Sequence, residues 1–135
     1  MGSGHRDADP PLDSLPETDW EVAERRTSIP EDLRQLFGKP VSAIRVPKSV
    51  HEKIVTKHQN VLADYQKLES RLENWESYRV VNGRWEIYMP ERENGDRLMA
   101  IIGMDKTGSI NLVSLYLVRR RNWRNRTLIP RRIEK

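Results

Sequence analysis

The chain has 135 residues, 33% of them charged and 36% apolar, which fits one ordinary domain with a terminal extension and a single modest core. It has no Cys, so disulfide frameworks, thiol nucleophiles and Cys-based zinc or iron-sulfur sites are excluded, and no run approaches the roughly 18 apolar residues of a membrane span, so a soluble protein is expected. The formal charge of +4 is uneven: residues 1–32 carry nine acids against three bases, and residues 119–135 carry eight bases against Glu134.

Of the 24 basic side chains 17 are Arg, whose planar fork pairs two phosphate oxygens at once, so a phosphate-bearing partner is the first candidate. The competing reading is a basic terminus that only keeps a small protein in solution.

The start, Met1-Gly2-Ser3-Gly4-His5, has no apolar stretch behind it and reads as vector-derived. Residues 1–28 are acidic and interrupted by Pro10, Pro11 and Pro16, with Trp20 as the only large aromatic, and are expected to be a flexible lead. Leu33, Leu36 and Phe37 recur at helical spacing behind Glu31 and Asp32, with Gly38 as a stop. Val41 to Val46 reads as a brief extended segment before Pro47. Ser49 with Glu52 three residues on has the form of a capping box for a helix to about Asn60. The stripe Val61, Tyr65, Leu68, Leu72, Trp75 predicts a second helix to about Glu76.

The period then changes to alternation. Tyr78 to Val81, the turn pair Asn82-Gly83, and Arg84 to Met89 predict a β-hairpin. After a loop from Pro90 to Asp96, Leu98 to Ile102 and Ile110 to Arg119 are two more strands joined by Asp105-Lys106-Thr107-Gly108. The expected fold is α+β: N-terminal helices on one face of a four-stranded antiparallel meander, residues 29–121, followed by a basic tail, 122–135. By strand parity Val113, Leu115 and Leu117 should meet the helices, while Leu112, Ser114, Tyr116 and Val118 should point to a free second face.

His5, His51 and His58 form no metal-binding spacing, and the glycines form neither a phosphate loop nor a dinucleotide fingerprint, so no metal and no cofactor is expected. His51 and His58, seven apart, lie near one helical face with Ile54 and Val55. One reading makes them half-buried core residues. The other makes His58, beside Lys57, a general acid or base.

Ser114 and Tyr116 precede Arg119-Arg120-Arg121, a pattern suited to a phosphodiester: hydroxyls donate to its oxygens and guanidinium groups neutralise charge. Arg84 shares that expected surface. Trp123, set among Arg119, Arg120, Arg121, Arg124 and Arg126, is placed either to stack an unpaired base or to tuck the tail onto the core.

The run Leu36-Phe37-Gly38-Lys39-Pro40, the helix with Lys57-His58, Asp64-Tyr65-Gln66-Lys67-Leu68 and the strand Val113-Ser114-Leu115-Tyr116 together resemble the phage-associated nuclease domains of the barnase–EndoU–colicin–RelE superfamily over roughly residues 33–121. The resemblance implies a toxin-like, metal-independent endoribonuclease with His58 as acid or base, Lys57 as a phosphate or transition-state cation, and Ser114 as a hydroxyl on the catalytic face. It implies RNA as partner, with tRNA among the candidate targets, a cognate immunity or antitoxin protein, no membrane, and action in the cytoplasm after delivery by a phage or secretion system. Two features depart from the family: Asn74-Trp75-Glu76-Ser77 stands where many relatives have Pro-Asp, and the last strand runs on into the Arg cluster.

The chemistry is coherent in its own right. A ribose 2′-hydroxyl can attack the adjacent phosphorus, so the protein need supply only a base, an acid and cations. The alternatives are a non-catalytic nucleic-acid or phosphate-binding module that uses the Arg tail, and a phage structural or protein-interaction domain.

Overall fold

The computed structural model describes residues 25–38 and 43–132. The lead through Glu24, Trp20 and the Val41 end of the second extended segment lie outside the described residues.

Two short antiparallel strands, β1 (Arg25–Ser28) and β2 (Ala43–Val46), bracket helix α1 (Glu31–Phe37). Pro30 holds the extended conformation at the entry to α1, Glu31 and Asp32 sit at its positive end, and Gly38 closes it at φ 70°. Leu33 and Phe37 are buried. Residues 25–28, expected in the lead, therefore belong to the sheet.

Helix α2 (Lys48–Lys57) starts two residues earlier than its pattern predicts, with Pro47 rather than Ser49 at the cap position. Pro47 fixes the entry at φ −61°, no side chain caps the end, and Ser49 lies exposed inside the first turn. The expected long second helix is instead a 3-10 turn (Gln59–Val61), α3 (Leu62–Gln66) and α4 (Leu68–Glu73), interrupted at Lys67 with ψ 33°. Its apolar stripe survives: Val61, Tyr65, Leu68 and Leu72 are fully buried. Alternating steps of four and three describe a buried stripe, and consecutive short turns that bend around a core preserve it as well as a straight helix does.

The remaining strands are β3 (Ser77–Val81), β4 (Arg84–Glu91), β5 (Arg97–Met104), β6 (Ile110–Val118) and β7 (Ile129–Pro130), with a single turn α5 (Arg120–Trp123) before the last. Strand order is β1-β2-β6-β5-β4-β3-β7. The α+β class holds, but the four-stranded meander is corrected to a seven-stranded mixed sheet. The antiparallel unit β3–β6 is its centre, β2 adds parallel to β6 at Arg45↔Asn111, and β7 adds to β3. Strand β2 falls within the extended segment expected up to Val46, whereas β1 and β7, with four and two residues, are too short for alternation to reveal.

Strand β6 also corrects the parity reading. Ile101 pairs with Ser114 and Ile102 with Leu112, so Val113 is an extra residue in a bulge. The bulge puts Ile110 and Leu112 on the same side as Leu115 and Leu117, all within the helix-facing core, and turns Val113 to the second face, where it lies against Gly103. The core on the helix side is built from Leu33, Ile44, Ile54, Tyr65, Leu68, Leu72 and the inward residues of β4–β6.

A smaller cluster, Tyr88, Met99 and Val118, lies on the second face, with Trp123 and Leu128 packed on it. The segment expected as a tail thus folds back over part of this face before β7 pairs with β3. Among the described residues no helix is long and apolar enough to cross a membrane.

Candidate active site

Register and parity place chemistry-bearing side chains in rows across the second face. One row runs Ser114 (β6), Ile101 (β5), Glu86 (β4), Arg79 (β3); the next runs Tyr116, Met99, Tyr88, Ser77. Strands lie ~4.8 Å apart, so the backbones at Tyr116 and Tyr88 are ~10 Å apart. A phosphodiester fits between side chains across that gap.

Glu86 is the centre of the arrangement. Its Oε1 accepts from Arg79 Nε at 2.6 Å and from the Tyr88 hydroxyl at 2.7 Å, while Arg126 Nη1 stands 4.0 Å away and donates to the Tyr88 oxygen at 2.7 Å. None of these contacts uses Oε2. Burial opposes ionisation of Glu86, yet the hydrogen bonds from Arg79 and Tyr88 and the charges of Arg79 and Arg126 outweigh it and hold the carboxyl below its ordinary range. Burial and the neighbouring Glu86 push the Tyr88 phenol up, which keeps it a donor. The hydrogen bond to Glu86 likewise raises Arg79.

At the β6 side, the chain leaves α2 at His58, whose ring meets Tyr116 edge-on with centroids 5.3 Å apart. His58 is half-buried, and its Nε2 is buried without a hydrogen-bond partner. Lys57, next to it, is exposed and has no carboxylate within ion-pair distance among the described residues. Helix α2 and the 3-10 turn pack against β6, which is how a residue of the helical layer reaches the second face. Ser114 lies on the same face but is 3% exposed, with its Oγ buried and unpartnered, so it sits beneath the surface rather than at it.

The predicted cations divide. Arg84 is exposed, and its side chain crosses Gly103, where a Cβ would approach Arg84 Cγ to 3.4 Å and Val113 Cγ2 to 3.3 Å. Arg126 belongs to the Glu86 cluster. Arg119, Arg121 and Arg124 are exposed without an ion pair among the described residues, and Arg120 reaches Glu91 at 3.7 Å. Trp123 takes the second of its two expected roles: its indole N–H donates to Gly95 O at 2.9 Å and the Arg97 guanidinium stacks on its ring at 4.3 Å, so it fastens the tail.

His51 is separate from this site. It is 1% exposed and its Nδ1 lies 2.8 Å from the Tyr65 hydroxyl, inside the helical layer. A second buried carboxylate, Asp64, accepts from Arg71 at 2.9 Å and from Arg92 at 2.5 Å. Burial opposes its ionisation, but these two cations hold its carboxyl below the usual range. No group of three or more potential metal ligands occurs among the described residues.

Sequence reasoning did not single out Glu86, Tyr88 or Arg79. The signal was present: a hairpin centred on Asn82-Gly83 pairs Val81 with Arg84 and therefore Arg79 with Glu86. Comparison with protein-family models, curated proteins and solved structures finds no match for this chain.

Proposed function

We propose that this protein is a ribonuclease of the barnase–EndoU–colicin–RelE type, and that the second sheet face is where it cleaves RNA. The observation that carries the reading is the Glu86 carboxylate: it is held by Arg79, Tyr88 and Arg126 in the middle of a sheet face, two strands from the Tyr116 that packs on His58. The cations keep Glu86 ionised and would also attract a phosphodiester.

In the proposed reaction Glu86 takes the proton from a ribose 2′-hydroxyl through Oε2. The 2′-oxygen attacks phosphorus, the bond from phosphorus to the 5′-oxygen breaks, and His58 protonates the leaving oxygen. The products are a 2′,3′-cyclic phosphate and a 5′-hydroxyl. Arg79, Arg126 and Lys57 offset the charge that builds on the non-bridging oxygens. Tyr116 positions His58, and Ser114 supports the face from below.

Incubation with total RNA in excess EDTA tests the reading. Fragments carrying cyclic phosphate ends should accumulate with the native protein and fall at least about 100-fold in rate with Glu86→Gln. Dependence on added magnesium would remove the metal-free mechanism. A second reading, a non-catalytic phosphate-binding module, is favoured by the exposed Arg119, Arg121 and Arg124, which form no ion pair among the described residues; tight RNA binding with intact RNA would select it.

A further inference from the structure

On the helix side of the sheet, where the end of β4 meets the start of β5, lies a cavity of about 350 Å³, within the range of small-molecule sites. Met89 and Leu98 belong to its apolar lining, and Arg71 of α4 and Arg92 of the β4–β5 loop supply its cations. Both guanidinium groups are tied to one atom: Asp64 Oδ1 accepts from Arg71 Nε at 2.9 Å and from Arg92 Nη2 at 2.5 Å. Asp64 itself is only 5% exposed and lies beneath them.

Two cations share one carboxylate, so the three side chains together carry one net positive charge. The arginine side chains are 39% and 37% exposed, and Arg71 Nη1 and Nη2 and Arg92 Nε and Nη1 are open to solvent with no hydrogen bond among the described residues. Glu91, the other charged group in the lining, is paired with Arg120 at 3.7 Å. Because both forks are already fixed on Asp64, ordering them around a ligand costs little further entropy. A phosphate suits this arrangement, since its oxygens accept from two guanidinium groups at once. A terminal phosphate suits it best, with three acceptor oxygens and a charge of about −1.5 to −2 at pH 7; an internal diester has fewer free oxygens and less charge.

We propose that this cavity binds a terminal phosphate group, free or carried on a small monoester, with Arg71 and Arg92 holding the phosphate and Asp64 holding the two arginines. The site is separate from the Glu86 face and independent of the ribonuclease reading. Attack by a 2′-hydroxyl ends in a cyclic phosphate and a 5′-hydroxyl, neither of which is a terminal phosphate, so this is not a site for the products of that reaction.

The test titrates inorganic phosphate and uridine 5′-monophosphate into the intact protein, followed through the side-chain Nε–H signals of Arg71 and Arg92. Both probes should give saturable shifts at both signals, and the tighter of the two tells whether the site takes the free ion or the ester. Uridine, and chloride at matched ionic strength, should give none. A deoxy dinucleotide with one internal phosphodiester should bind at least about fivefold more weakly than the monophosphate, the value of one hydrogen bond. Arg71→Gln and Arg92→Gln should each weaken phosphate binding at least about tenfold, the loss of a charge-assisted hydrogen bond. Each variant leaves Asp64 one cation, and a thermal melt checks that it is folded; the titration of the native protein decides the question without them. No saturable shift at the two arginines, equal shifts with chloride or uridine, equal binding of the diester, or unchanged affinity in the folded variants would overturn the proposal.

Discussion

Glu86 and Asp64 are buried carboxylates that stay ionised for similar reasons: burial opposes ionisation in both, but Asp64 is held by Arg92 and Arg71, and Glu86 by Arg79, the Tyr88 hydroxyl and the charge of Arg126. Both bind protons more weakly in the folded chain than in the unfolded one, whose carboxyls titrate near 4. Their contribution is fully present above that range and is lost as pH falls through it toward the depressed folded values. Thermal melts should therefore weaken below about pH 4, and Asp64→Asn should flatten that dependence. The two helical histidines part in the same manner of testing. His51→Gln, which disturbs a buried bond to Tyr65, should cost about 1–3 kcal/mol of stability and leave cleavage per folded molecule intact. His58→Gln should cost at least about 100-fold in cleavage with a small change in melting temperature. The opposite pattern in the two variants would exchange their roles.

At the level of elements, the hairpin β3–β4, helix α1 and the central strands were legible because a turn pair or an apolar period fixes each locally. Asn82 and Gly83 take φ 54° and 76°, as a type I′ turn requires. What was not legible depends on partners distant in sequence. A two-residue β7 is a strand only because β3 offers an edge, and the bulge at Val113 exists only in relation to Ile101 and Ile102. The acid of the candidate site was hidden by its ordinariness, since Glu86 alternates with Arg84 and Tyr88 like any polar strand face. Docking of the tail was legible only at Trp123; its far end is held by Arg131, which pairs with Asp32, donates to Glu73 O and Trp75 O, and stacks on Trp75. Arg131→Ala should lower stability by about 2 kcal/mol, read as a lower urea midpoint. An unchanged midpoint would mean that the Arg131 contacts do not contribute to stability.

For the molecule as a whole, helices cover one sheet face and the tail covers part of the other, which leaves a basic surface beside a carboxylate. Arg119, Arg121 and Arg124 line the turn where the chain leaves β6. If they hold RNA phosphates, changing all three to Gln should flatten the dependence of log affinity on log salt by up to about 2, at ~0.7 per phosphate on a single strand. An unchanged slope would assign them to solubility. The cleavage claim is tested most directly with one short RNA of defined sequence, cut at a mapped position, and its twin carrying a 2′-deoxy sugar 5′ to that bond. The expected result is cleavage of the RNA in EDTA with a 2′,3′-cyclic phosphate end and no cleavage of the deoxy twin. Equal cleavage of both, or none of either at high protein concentration, would contradict it.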